Sequence, residues 1–208
     1  MNDGPPRQKC GGSLRVGFGR AIAHDAAMAS WSRRAAITES LLIITGSMGA
    51  GKRSVLAEAS DLLALRHIAH AAIDVDALGL GHLPDAVSSD GVMYCNLESV
   101  CRNYASSGVR RFMVARALEK REELDLCRRM VPAANAMVCR ITASVATMED
   151  RVKTREQGAL QGQYVGRVAE LDAILDRARL EDFTISNENR PLDDVAKELL
   201  VRAGWLSP

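Results

Sequence analysis

The stretch GSMGAGKRS has the composition and spacing of a loop that binds phosphate. Gly46, Gly51 and Lys52 fit the pattern G-x-x-x-x-G-K, in which glycines let successive backbone N–H groups point at phosphate oxygens. The lysine adds a positive charge that reaches the terminal phosphates. The usual pattern continues with Ser or Thr directly after the lysine, but here Arg53 takes that position and Ser54 follows it.

The surroundings of this loop favour a phosphate site. It follows the apolar run LLIIT (41–45), which predicts a strand, and precedes an amphipathic stretch at 53–66, which predicts a helix. The N-terminus of a helix presents free N–H groups and the positive end of the helix dipole to an anion. We therefore expect nucleotide phosphates to contact the whole loop: Gly46, Ser47, Met48, Gly49, Ala50, Gly51, Lys52, Arg53 and Ser54.

Beyond the loop, strand-like and helix-like patterns alternate to the end of the chain. Strands are predicted at 41–45, 71–76, 110–116, 136–142 and 182–186, and helices at 53–66, 96–106, 119–130, 145–157, 164–180 and 191–203. Such alternation predicts an α/β fold in which a five-stranded parallel sheet is covered by helices on both faces. Pro191, an acidic pair at 193–194 and Gly204 mark the last helix.

Composition excludes several classes of function. Lys and Arg number 27 against 26 Asp and Glu, and only 4% of residues are aromatic, which argues against a nucleic-acid partner. No apolar run reaches the ~18 residues of a membrane helix, so no membrane partner is expected. The five cysteines are scattered and never spaced as C-x-x-C, which favours reduced thiols and a cytoplasmic location.

The first 38 residues differ from the rest of the chain. They are rich in Gly and Pro at the start and lack a useful period, which is typical of a flexible extension. An alternative is a start assigned too far upstream, with Met28 as the natural beginning. A structured accessory segment is a further alternative. The sequence therefore predicts an extension at 1–38 and a single domain at 39–208.

Residues 41–206 resemble the nucleoside-monophosphate-kinase-like branch of P-loop proteins, which includes adenylate, shikimate, gluconate and adenylylsulfate kinases. The likeness rests on GSMGAGK, IDVDALG, MEDRVKTREQG and FTISNENRPLDDVAKELLVRAGW, in this order along the chain. It implies a three-layer P-loop NTPase fold with a small helical lid at about 148–166. It also implies ATP as phosphoryl donor, Mg²⁺ as cofactor, and a small-molecule hydroxyl or phosphate as acceptor.

Asp74 and Asp76 end the second predicted strand, at the edge where open α/β sheets bind ligands. In the resembling kinases a D-x-D here helps to hold magnesium water or to orient the acceptor, which makes both residues candidates for substrate contact. We expect one of the two to face the crevice, and Asp76, which lies nearer the strand end, is the choice for metal and catalysis. Ser54 aligns with a threonine of adenylate kinases and is the second candidate metal ligand. Ordinary loop or capping aspartates remain the alternative.

Arg151 and Arg155 are four residues apart and would share one face of a helix. The resemblance places such arginines in the lid, where they stabilise charge on the transferring phosphoryl group and act as catalytic residues. Gly158 and Gly162 would let the lid hinge. A solvated charged face is the alternative, since Lys153 and Glu156 flank the pair.

The resemblance also implies that the loop 186–191 curls round the adenine, which makes Asn187 and Arg190 candidates for nucleotide contact. Acceptor recognition is expected from 77–104 and from Arg116, at the end of the third predicted strand. Arg116 would bind an anionic group or pair with one of two acidic residues, Glu119 and Glu122.

Two classes of function stay open. The first is an ATP-dependent phosphotransferase in which Lys52, Asp76, Arg151 and Arg155 carry out catalysis. The second is a degenerate nucleotide-binding protein that acts as a sensor or partner-binding module, because Arg53 replaces the usual Ser or Thr. A monomer or a homodimer fits either class.

Overall fold

The computed structural model describes residues 39–81, 83–84, 88–131, 133 and 135–208. Strands and helices alternate along this part of the chain. The strands are β1 (Ser40–Thr45), β2 (Ala71–Asp74), β3 (Arg111–Ala115), β4 (Asn135–Thr142) and β5 (Phe183–Ser186). The α-helices are α1 (Lys52–Ala64), α2 (Ser89–Ser106), α3 (Arg121–Met130), α4 (Val145–Arg155), α5 (Gln161–Ala178) and α6 (Leu192–Arg202), and a 3₁₀ helix (Asp76–Gly79) follows β2.

The five strands form one parallel sheet in the order β2-β3-β1-β4-β5. This confirms the predicted fold class. The central strand is β1, in which Ile44 lies opposite Ala115 of β3 and Cys139 of β4. Because all strands run the same way, the loop after β1, the aspartates after β2 and Arg116 after β3 meet at one edge of the sheet.

Apolar cores lie on both faces of the sheet. Leu42 and Ile44 of β1 are buried in one core, with side chains of α1 and α6, and Leu41 and Ile43 are buried in the other, with side chains of α2 and α3. Burial on both faces explains why β1 is a continuous apolar run rather than an alternating one. Each core fixes its helices against one face of the sheet.

Two element boundaries differ from the predicted ones near the site. The strand β2 ends at Asp74, not at residue 76, because the backbone turns into the 3₁₀ helix that begins at Asp76. The helix α2 begins at Ser89, seven residues before its predicted start, and the Ser88 hydroxyl caps it by accepting a hydrogen bond from the Gly91 N–H. Ser88 and the acidic Asp90 were the available N-cap signals.

The C-terminal helix agrees closely with its sequence signals. Pro191 immediately precedes α6, Asp193 and Asp194 lie in its first turn, and Gly204 has a φ of 69° just past its end. The predicted extension at 1–38 lies outside the described residues. Within the described part of the chain, every helix is too short or too polar to cross a membrane.

Candidate functional site

The loop between β1 and α1 has a backbone that requires glycine. Gly46, Gly49 and Gly51 have φ values of 148°, 77° and 99°. A Cβ atom on Gly46 would collide with the carbonyl oxygen of Ile141, and one on Gly49 would collide with the backbone of Met148. The glycines therefore serve both the loop conformation and its close packing against β4 and α4.

Lys52 lies at the start of α1 with its ammonium group turned back over the loop. Its Nζ donates hydrogen bonds to the carbonyl oxygens of Gly46 at 3.0 Å and Ser47 at 3.1 Å. Burial lowers the pKa of Lys52 to about 8; the charges of Asp76 and Asp74 oppose this shift, and those of Arg155 and Arg53 reinforce it. Lys52 is thus a partly desolvated cation whose charge is sensitive to pH near neutrality.

The first turn of α1 carries cations where helices ordinarily favour anions. Gly51 precedes the helix, no side chain of the described residues caps it, and the first turn contains Lys52 and Arg53 but no acidic residue. Cations at the positive end of a helix dipole are unfavourable unless an anion compensates them. The arrangement is that of an anion site.

Both aspartates after β2 face the same cleft as Lys52. The expectation that only one of them would do so is wrong, because residues two apart along a strand point to the same face, and the turn into the 3₁₀ helix at Asp76 does not separate the two side chains. Asp74 forms an ion pair with Arg53, and Asp76 forms one with Arg116 at 2.8 Å.

Arg116 is held by α2 and the 3₁₀ helix. Its guanidinium contacts Asp76, lies 3.5 Å from Asp90 and stacks at 5.6 Å over the ring of Tyr94. Only 14% of the side chain is exposed. Of the two alternatives for Arg116, the one that pairs it with Glu119 or Glu122 is wrong, since Arg116 pairs with Asp76 and Asp90, and Glu119 pairs with Arg167 of α5. Asp76 is 40 residues from Arg116, and Glu119 is 48 residues from Arg167, so a local sequence pattern does not indicate either pair.

The two arginines of α4 have different surroundings. Arg151 donates hydrogen bonds to the carbonyl oxygens of Gly49 at 3.3 Å and Asn187 at 2.8 Å. It therefore braces the glycine-rich loop 46–51 between β1 and α1, which we call the phosphate loop after its sequence motif. Arg155 lies one turn further on, lines the cleft and pairs with Glu156. Both also line a second groove beside α4. Their catalytic roles, and the lid at about 148–166, stay predictions.

The loop after β5 contacts the phosphate loop through a side-chain hydrogen bond. Asn187 is buried, and its side-chain amide donates to the carbonyl oxygen of Ala50 at 2.9 Å. Arg190 pairs with Glu198 at 2.8 Å. Contact of Asn187 and Arg190 with a nucleotide stays a prediction, and the observed bonds assign both a structural role.

Two stabilising contacts of this region were not predicted. The hydroxyl of Ser47, placed by its motif among the nucleotide contacts, is buried and donates to the carbonyl oxygen of Val168 at 2.8 Å. Glu188 accepts hydrogen bonds from Thr147 Oγ1 at 2.6 Å and from the Ser144 N–H at 2.8 Å, which lower its pKa. These bonds fix the end of β5 to the start of α4.

The residues round the cleft do not fit Mg²⁺ as they are arranged. Mg²⁺ prefers one or two carboxylates and several waters, but Asp74 and Asp76 each contact a guanidinium. Among the described residues, no group of three or more His, Cys, Asp and Glu side chains is placed to hold a metal ion. Coordination by Ser54 and Asp76 stays a prediction that these contacts do not favour.

The loop after β1, the first turn of α1, the two aspartates at the end of β2, and Arg155 with Glu156 line one polar cleft of about 440 Å³ at the carboxyl edge of the sheet. Arg116, Arg151 and Asn187 are not among its lining residues. Its positive groups are Lys52, Arg53 and Arg155, and its negative groups are Asp74, Asp76 and Glu156. A glycine-rich loop, a helix N-terminus and a lysine at the edge of a parallel sheet define the class of P-loop proteins.

Comparison with solved structures agrees with this class. The chain resembles shikimate kinase from Bacteroides thetaiotaomicron (12% identity, TM-score 0.56, 79% of this chain and 98% of that chain covered). It also resembles a gluconokinase from Sinorhizobium meliloti 1021, at 19% identity and a TM-score of 0.52, with 79% of this chain and 91% of that chain covered. An APS kinase from Mycobacterium tuberculosis in complex with AMPPNP and APS is similar at 19% identity and a TM-score of 0.53, with 80% of this chain and 98% of that chain covered. The chain therefore has the fold of small P-loop kinases. No family model and no curated protein matches its sequence.

Proposed function

We propose that this protein is an ATP-dependent phosphotransferase that moves the γ-phosphate of ATP to a hydroxyl or phosphate group of a small molecule. The observation that carries the proposal is the uncapped N-terminus of α1, where Lys52 and Arg53 lie in the first turn beside the loop. The free N–H groups of the helix N-terminus and the Lys52 ammonium favour an anion beside the loop, and we propose that the phosphates of a nucleotide supply it.

Two adjoining cavities support a nucleotide rather than a free phosphate. The groove beside α4 is lined by Thr147, Asp150, Arg151, Thr154 and Arg155. Arg155 also lines the phosphate cleft, so the two cavities adjoin at this residue. We propose that phosphates occupy the cleft and that the base occupies the groove, where the planar guanidinium of Arg151 offers a stacking surface.

We propose that the acceptor binds on the side of the cleft that Asp76 lines, where Arg116, itself outside the lining, pairs with Asp76. Asp76 is half-exposed and lies across the cleft lining from Lys52. We propose that its carboxylate orients an acceptor hydroxyl while Lys52 and Arg155 balance charge on the transferring phosphoryl group, as phosphoryl transfer requires. We assign no step to Mg²⁺, because the carboxylates that would hold it contact arginines.

The direct test is release of ADP by the full chain, with ATP and a panel of sugars, small hydroxy acids and nucleoside monophosphates. We expect one acceptor class to raise ADP release well above hydrolysis by water, and Lys52→Ala to abolish it. Arg128→Ala, an exposed change on α3 that lies outside both 77–104 and the predicted lid, serves as the control that should not alter turnover. Absence of ATP binding would contradict the proposal.

One observation favours a second function, a nucleotide-binding protein without catalysis. The ion pair between Arg53 and Asp74 occupies the side of the cleft where a metal would be needed. If the wild-type chain binds ATP but turns over no acceptor, while Arg53→Thr does, the natural chain is a degenerate kinase. A cytoplasmic location and a small-molecule partner belong to both proposals.

A further inference from the structure

Arg53 is the residue of the cleft that departs from the usual phosphate-loop pattern. It follows Lys52 in the first turn of α1 and pairs with Asp74 at the end of β2. Its side chain is 68% exposed and lines the cleft, so it has room to change partner without disturbing a core. The ion pair holds a guanidinium directly beside the phosphate loop.

The guanidinium supplies what a divalent cation supplies to a triphosphate. A nucleoside triphosphate needs compensation of the charge on its β- and γ-phosphates, and the planar guanidinium offers five N–H donors in a fork that matches phosphate oxygens. A second observation is that Asp76 is paired with Arg116, so neither Asp74 nor Asp76 is free to attract a cation before ATP binds.

We propose that Arg53 takes the place of the metal ion: the chain binds ATP in its metal-free form, and the Arg53 guanidinium leaves Asp74 to contact the β- and γ-phosphates. This inference rests on the proposed nucleotide binding. Asp74 acts as the resting partner that positions the guanidinium and competes with the phosphates for it. The protein therefore recognises free nucleoside triphosphate in preference to its magnesium complex.

Isothermal titration calorimetry of the full chain with ATP, once in EDTA and once in excess Mg²⁺, tests this inference. We expect the wild-type chain to bind at least as tightly in EDTA as in Mg²⁺. Arg53→Thr, which supplies the usual hydroxyl and frees Asp74, should weaken binding in EDTA by at least tenfold and regain it with Mg²⁺. Because Arg53 is exposed, the variant should keep its fold, which its thermal unfolding curve will check.

Two matched variants separate charge from geometry. Arg53→Lys keeps the positive charge without the fork and should bind in EDTA with an affinity between those of the wild-type chain and Arg53→Thr. Asp74→Asn removes the competing carboxylate and should tighten binding in EDTA. An unchanged affinity in EDTA after Arg53→Thr overturns the inference.

The outcomes also distinguish this inference from the proposed function. Wild-type binding that requires Mg²⁺ overturns the role of Arg53 and leaves the nucleotide site standing. Absence of wild-type binding under both conditions overturns the proposed function, and the role of Arg53 with it. Binding in EDTA that Arg53→Thr shifts to Mg²⁺ dependence supports both.

Discussion

Lys52 is the residue through which pH acts on the site. Burial removes its ammonium group from bulk water, so its pKa falls from 10.5 to about 8, although the ammonium still donates hydrogen bonds to two loop carbonyls. A lowered lysine pKa means that the charged form costs folding free energy below pH 8, and this cost disappears as the pH rises toward the unfolded value. Phosphate bound beside Lys52 would reverse the shift, because an anion favours the charged form.

ATP affinity should therefore fall as the pH rises through 8. Below this value Lys52 is already charged, while above it binding must take up a proton, so the dissociation constant should rise by about eightfold between pH 7.5 and 9. Calorimetry in buffers of different ionisation enthalpy measures both the affinity and the proton uptake. Lys52→Met should bind weakly at every pH in this range, and an equally steep profile in that variant would contradict the assignment.

At this scale the sequence predicts residues whose partners are close along the chain. The loop and Lys52 follow from a local motif whose mechanism is backbone geometry. The ion pair of Arg53 with Asp74, 21 residues away, and the bond from Asn187 to Ala50, 137 residues away, depend on how the strands assemble. No spacing rule indicates such contacts, which is why the ion pairs of Asp74 with Arg53 and of Asp76 with Arg116 were not predicted.

At the scale of elements, the phosphate loop is held between α4 and β4 by contacts that leave no room for a side chain. Gly49 combines a φ of 77° with close approach to the Met148 backbone. Gly166, within α5, is exposed and has no neighbouring atom within 4 Å of an added Cβ. Substituting each glycine by alanine therefore tests whether the loop requires glycine at position 49 or whether any glycine of this domain would respond in the same way.

Gly49→Ala should lower the free energy of unfolding by about 2 to 4 kcal/mol, because it adds backbone strain and a collision with main-chain atoms. Gly166→Ala, the matched control, should raise it by about 0.5 to 1 kcal/mol, since alanine favours a helix interior. Urea unfolding measures both values. Equal and small effects would show that the loop can relax and that the packing of α4 does not define it.

The elements themselves were largely predictable, and their ends were less so. Five strands and six helices follow from apolar period and length, which depend on neighbours within a few residues. The end of β2 at Asp74 and the start of α2 at Ser89 depend on a 3₁₀ turn and an N-cap serine. These ends matter here because they bring Asp76 and Arg116 together.

At the scale of the whole molecule, a buried arginine joins the sheet to α5, the helix whose first turns belong to the predicted lid. Arg140 of β4 is only 5% exposed, and its guanidinium contacts Asp172 and Asp176 of α5 at 2.7 Å each. Glu181 lies 3.8 Å away. Cys139 and Ile141, its neighbours in β4, are buried in the opposite core. An ionic cluster thus fixes α5 to the sheet at a position that an apolar side chain would ordinarily occupy.

Arg140→Met should destabilise the whole domain by about 2 to 4 kcal/mol, because it leaves the half-buried Asp172 without its cation. Arg102→Ala removes an exposed pair with Glu98, its arginine 73% exposed, and should change stability by less than about 0.5 kcal/mol. Chemical denaturation of the full chain compares them.

The double variant Arg140→Met with Asp172→Asn distinguishes two contributions to the loss of stability: the loss of the Arg140 side chain itself and the cost of leaving the Asp172 carboxylate without its cation. If the stranded Asp172 carboxylate causes the loss, the double variant should recover part of the stability, because of the half-buried carboxylates near Arg140 only Glu181 then stays charged. If instead Arg140 matters through its packing, the double variant should be no more stable than the single one. Equal effects of Arg140→Met and Arg102→Ala would mean that the cluster is solvated and that α5 is held by its apolar contacts, with Val168 and Leu171 as its buried side chains.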